Sequence, residues 1–144
     1  MHRKRIKRQI KLLKQLDKRM PNLRFYMGDF GSHLGTHQPE EDNYCNTSCC
    51  QLGVASLDRK FNKQGLIGEW QQRAIGRNGQ DLTIRFEEST FTMAGAKFFR
   101  LHRLIADHMF SGALDTRKKC IKAWQELLEL GEKKFTEKHQ FEME

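Results

Sequence analysis

The chain has 144 residues, with 26 Lys and Arg against 18 Asp and Glu, a formal net charge of +8 and 38% apolar residues. This length and composition fit one domain that buries roughly two-thirds of the surface it exposes unfolded. They exclude a disordered polyelectrolyte and a membrane-spanning helix, which needs an apolar run of roughly 20 residues.

All of the net charge falls in residues 1–19. Nine basic side chains stand there against the single Asp17, and the rest of the chain is neutral. So concentrated a field raises encounter rates with phosphate backbones, anionic membranes or acidic protein surfaces, and says nothing about fold. At 100° per residue, Ile6, Ile10, Leu13, Leu16 and Met20 share one side of this segment, and Arg3, Lys7, Lys11, Lys14 and Lys18 the other. The spacing predicts an amphipathic helix over 1–20, ended by Pro21 and Asn22. Its apolar stripe docks on, or extends from, a single globular domain of residues 21–144. No uninterrupted apolar stretch follows the basic residues, so no secretory leader is expected and the reading is a soluble intracellular chain.

Leu23 and Phe25 suit a short strand. Residues 27–44, with three glycines, two histidines and three consecutive acids, read as one long irregular loop. Asn46, Thr47 and Ser48 are competent helix caps, and Cys50, Val54, Leu57 and Phe61 follow at helical spacing, which predicts a helix over 48–61. Asn78-Gly79 predicts a tight turn in a β-hairpin. Phe98, Leu101, Ile105 and Met109 form one helical stripe after Thr92. Cys120, Trp124, Leu127, Gly131 and Phe135 form another after Asp115 or Thr116, and Ser111-Gly112 separates the two. The Lys-rich tail beyond Lys134 is expected to fray. The fold class is α+β, mostly helical, with the N-terminal helix and three C-terminal helical pieces around a small hairpin or short sheet.

The run CNTSCCQLGVA resembles the C-x-T-x-x-C-x-x-G-x-A segment of small phage- and prophage-encoded proteins of unassigned function, through Cys45, Thr47, Cys50, Gly53 and Ala55. The stretches FFRLHRLIADHMFSG and LDTRKKCIKAWQELL are similar to the helices that follow that segment, so the resemblance spans roughly 45–128. The additional Cys49 and the basic N-terminal helix depart from the pattern. The resemblance implies a viral or mobile-element origin and no particular chemistry. Small phage proteins often act on host machinery or block an immune effector such as a CRISPR nuclease complex, an analogy that places the chain in the cytoplasm of a bacterial host.

Arg3, Lys4, Arg5, Lys7, Arg8, Lys11, Lys14 and Lys18 are the candidate nucleic-acid or partner-binding residues. Cations in the first helical turn oppose the macrodipole, a local cost that proteins tolerate most readily at functional sites. The outer face lacks the Asn, Gln and aromatic groups that read or stack on bases, so sequence-independent binding is expected. Arg100, Arg103, Arg117, Lys118 and Lys119 are a second cationic group, where Asp107 and Asp115 can pair with Arg103 and Lys119.

His33, His37, Cys45 and Cys49 offer zinc ligands, although H-x3-H ahead of a C-x3-C-C cluster is not the two separated pairs usual for such sites. Cys49 in a first helical turn would make a nucleophile, with His37 as base and Glu40 or Asp42 orienting it. The contrasting reading makes Cys50 and Cys120 small buried hydrophobes. No phosphate-loop, dinucleotide, HExxH or GxSxG motif occurs, so no cofactor is expected. The leading expectation is a non-enzymatic binding protein whose partner is a nucleic acid or a nucleic-acid-binding host complex. The alternatives are an enzyme or zinc protein built on residues 28–50, and self-assembly through an interchain pairing of Ile6, Ile10 and Leu13.

Overall fold

A computed structural model describes residues 1–74 and 77–141. Helix α1 (Arg3–Lys14) starts at His2, whose ring Nδ1 accepts the Arg5 N–H, and the one-turn α2 (Leu16–Arg19) follows after a break at Gln15. Ile6, Leu12, Leu13 and Leu16 are buried in the main core. Each such side chain contributes about 1.5–3 kcal/mol, against a few tenths for each badly placed cation, so docking of the apolar face outweighs the repulsion along the basic one. The same burial removes the stripe of Ile6, Ile10 and Leu13 from any interchain pairing: it is spent inside the chain.

The sheet is mixed. Strands β1 (Arg24–Phe25), β2 (Gly31–His33), β3 (Thr47–Cys49), β4 (Ile67–Gln72) and β5 (Gln80–Phe86) lie in the order β1-β3-β2-β5-β4, with β6 (Ser89–Thr90) on the end of β5. The predicted hairpin is the pair β4/β5, registered from Ile67 opposite Arg85 to Gln72 opposite Gln80. Its link is longer than the expected tight turn. It covers residues 73–79, of which 75 and 76 lie outside the described residues, and Gly79 takes φ 107° where Asn78 does not turn left-handed.

Two other expectations need correction. The stretch 27–44 is not loop throughout, because β2 inside it bonds β3 on one side and β5 on the other. The helix expected over 48–61 is in fact a strand and two helices. Cys49 registers with Phe25 and Gly31, which holds 47–49 extended. Cys50 then caps α3 (Gln51–Ser56), and Asp58 caps α4 (Arg59–Lys63) by accepting the Phe61 N–H at 3.1 Å.

In the last third, α5 (Phe91–Phe99) ends where Arg100 turns left-handed at φ 55°, and α6 (Arg103–Phe110) follows from a cap at His102. Thr116 caps α7 (Arg117–His139). The end of α7 does not fray from Lys134. Phe135 and Thr136 are buried, and Glu126 accepts from Lys138 at 2.9 Å and pairs with His139 at 2.7 Å. Residues 126 and 138 would stand roughly 18 Å apart on a straight helix. The chain turns back at Gly131, whose φ of 81° breaks the helical path. Phe61, Phe98, Phe99 and Trp124 pack edge-on or tilted at centroid separations of 4.9–5.1 Å between successive rings, and form the centre of the core. All four cysteines are free thiols. Among the described residues no helix is long and apolar enough to cross a membrane.

Candidate functional site

The inner face of α1 decides which of its cations reach solvent. Arg3, Lys4, Lys7, Lys11, Lys14 and Lys18 are exposed, and among the described residues none of these five lysines has a carboxylate partner. Arg3 donates to the Leu128 carbonyl at 2.9 Å and ties the row to α7.

Arg5 and Arg8 leave the row and turn toward the body. Arg8 grips Asp58 with two parallel hydrogen bonds of 2.8 and 2.7 Å, the fork geometry in which a guanidinium binds a carboxylate most strongly. Burial pushes the Asp58 carboxyl up, but the Arg8 hydrogen bonds, the Phe61 N–H and the charges of Arg8 and Arg19 outweigh it and hold it below its ordinary value. Arg5 has no carboxylate partner among the described residues. Its Nε donates to Gln64 Oε1 at 2.8 Å, its Nη1 to the Phe98 carbonyl at 2.7 Å, and its guanidinium sits 4.1 Å from the Phe98 ring centroid.

The second cationic group divides. Arg117 pairs with Asp17 at 3.0 Å and Lys119 with Asp115 at 2.8 Å, so both are partly neutralised. Lys118 has no carboxylate partner among the described residues and joins Lys14 and Lys122 along a groove of about 500 Å³ between α1 and α7, lined also by Leu13 and Ile121. Arg103 does not pair with Asp107, and with Arg100 it faces Arg5 across a crevice on the opposite flank of α1. The lysine row is thus flanked by a cationic groove at the C-terminal end of α1 and a cationic crevice at its N-terminal end. Lys122 lines the groove and Lys97 the crevice. Their sequence positions give no hint of this, because the helices carrying them meet α1 only in the folded chain.

The loop and cysteine cluster folds differently from its expected roles. His33 is fully buried, with Nδ1 2.7 Å from Thr47 Oγ1 and Nε2 3.0 Å from Asp42 Oδ2. Asp42 also lies 3.6 Å from Nδ1 of the exposed His37. This is an acid, imidazole and hydroxyl in line, yet Thr47 is buried and its hydroxyl donates to the Cys45 carbonyl at 3.2 Å, so the hydroxyl is committed within the fold. The chain of bonds ties the loop to β2 and β3.

Cys49 lies on β3 rather than in a helical turn. Burial, with the nearby Cys50 and Asp29, raises its thiol far above the ordinary value, the reverse of what a nucleophile requires. Burial likewise pushes Cys50 up to about 11 and Cys120 to about 12, as expected of small buried hydrophobes. Cys45 is exposed. Asp42 brings His33 and His37 together, but among the described residues no three His, Cys, Asp or Glu side chains, Cys45 and Cys49 included, are placed to hold a metal ion.

No protein-family model, curated protein or solved structure matches the chain.

Proposed function

We propose that the protein is a non-enzymatic nucleic-acid-binding protein that lays the outer face of α1 along the phosphate backbone. The observation that carries this reading is the row Lys4, Lys7, Lys11 and Lys14 on α1, continued by Lys18 on α2, without carboxylate partners among the described residues and backed by an opposite face that is core. Positions three or four apart recur about every 4.5–6 Å along a helix. A duplex carries one charge per about 1.7 Å of axis, so the row meets several phosphates at once. The row carries no aromatic side chain, and its exposed neighbour Gln15 has its oxygen taken by Arg19 Nε at 3.2 Å, which supports binding by charge rather than by base. The resemblance to small phage proteins supports a setting in a bacterial cytoplasm, with the nucleic-acid channel of a defence nuclease complex as the concrete target.

The test is fluorescence anisotropy of labelled DNA and RNA, single- and double-stranded, at about 50 and 200 mM salt. Four phosphate contacts at about 0.9 each in the slope of log K weaken duplex binding about a hundredfold over that range. Absence of binding at the lower salt overturns the reading in favour of an acidic protein surface.

A further inference from the structure

The crevice of about 610 Å³ between the first turn of α1 and the α5–α6 corner is lined by Arg5, Lys97, Arg100 and Arg103 against one acid, Glu87. None of these four cations pairs with a carboxylate among the described residues. Arg5 is half-buried while Lys97, Arg100 and Arg103 are exposed, and a partly buried charge such as Arg5 without a counterion is uncommon, because burial is tolerated when the charge is paired. Arg5 is also held in advance. Its two hydrogen bonds and its seat over Phe98 fix the guanidinium plane and leave Nη2 uncommitted among the described residues. A group so fixed loses little entropy when it meets a ligand. The surrounding field is felt elsewhere: burial and the Arg100 charge lower Arg5 from its ordinary value, and burial with Arg5, Arg100 and Lys4 lowers the His2 imidazole. A second cavity shares Arg5 and includes Lys4, so the crevice continues the lysine row at the N-terminal end of α1.

We propose that this crevice binds a dianionic phosphoryl group through Arg5, Lys97, Arg100 and Arg103, and that on a nucleic acid lying along α1 the group it takes is a terminal phosphate. The charge count favours the monoester. Four cations and one carboxylate leave a surplus well above the single charge of a backbone diester, whereas a phosphomonoester carries about −1.5 to −2 at pH 7. The terminal-phosphate half rests on the nucleic-acid reading of α1; the phosphoryl site itself rests on the crevice alone.

The test compares 3′-labelled 12-mers bearing a 5′-phosphate or a 5′-hydroxyl, and titrates the Arg5 side-chain Nε–H resonance with inorganic phosphate. The expected result is about tenfold tighter binding of the phosphorylated strand, the scale of one charge-assisted fork, together with a saturable Arg5 shift. Arg100→Gly keeps the left-handed backbone at that position and Arg103→Ala removes an exposed side chain, and either brings the ratio of the two strands toward one. Equal affinity for the two strands in the native chain overturns the terminal-phosphate assignment and leaves the α1 row standing. If neither strand binds but phosphate still shifts Arg5 saturably, the crevice serves a free phosphorylated ligand and the nucleic-acid reading falls. No shift and no preference overturn the site.

Discussion

The indole N–H of Trp124 donates to the side-chain oxygen of Gln51 at the centre of the core. The amide nitrogen of Gln51 donates in turn to the Met109 carbonyl at 2.7 Å, and its backbone carbonyl accepts from Gln9 at 2.9 Å. One buried glutamine thus fastens α1, α3, α6 and α7 to each other. Replacing it orphans polar groups that cost about 1–3 kcal/mol each when left buried and unpaired. Gln51→Leu is expected to lose about 2–4 kcal/mol in urea denaturation. A loss well under 1 kcal/mol would mean that the neighbours find other partners.

The Arg8–Asp58 fork is nearly closed off from solvent, with side-chain exposures of 16% and 4%. Asp58→Asn keeps an N-cap for α4 but strips Arg8 of its counter-charge, and a loss of about 2 kcal/mol is expected, below the figure for a fully buried pair because Arg8 keeps some water. The pH dependence has a definite sign. The folded carboxyl lies below its ordinary value of 3.8, so its contribution is complete above the unfolded value and is lost as pH falls through the folded one. The stability gap between native chain and variant should therefore shrink from about pH 5 downward. A gap that stays constant on acidification would remove the charge from the account.

Charge reversal separates the two kinds of cation on α1. Lys7, Lys11 and Lys14 changed together to Glu should leave the chain folded at a cost of no more than about 1.5 kcal/mol in all, since each alters an exposed site by no more than about 0.5 kcal/mol. The salt slope of nucleic-acid binding should fall by about 0.9 for each phosphate contact removed. Arg8→Glu sets a carboxylate against Asp58 and should unfold the chain under conditions where the triple variant is native. Equal stability of the two variants would contradict the placement of Arg8.

Thiol titration reads the cysteines one at a time. A disulfide reagent should modify Cys45 quickly in the native chain and all four thiols in urea, because Cys49, Cys50 and Cys120 are buried with raised values. A second fast thiol without urea would point to a Cys49 more open than the fold shows.

The two faces of α1 were legible in the sequence because a helical wheel needs only residues a turn apart, and so were the Thr116 cap and the break at 111–112. What stayed hidden depends on distant partners. Arg5 and Arg8 look like members of the basic stripe until Phe98 and Asp58 are brought beside them. Gln9 looks out of place among apolar residues until Gln51 arrives from 42 positions away. The helical spacing of Cys50 to Phe61 is real, yet Cys49 is drawn into a strand by Gly31 and Phe25, which no local pattern reports. The cationic surroundings of α1 were only half visible, since Lys97 and Lys122 reach its crevice and groove through helix packing.

Because Ile6, Leu12, Leu13 and Leu16 are walls of the main core, the basic segment is not a detachable tail. A chain cut before Pro21 would lose its lysines and its interior together, and any failure to bind would then describe an unfolded polypeptide. Removing charge while keeping the helix is the only way to question the interface without dismantling the molecule that presents it.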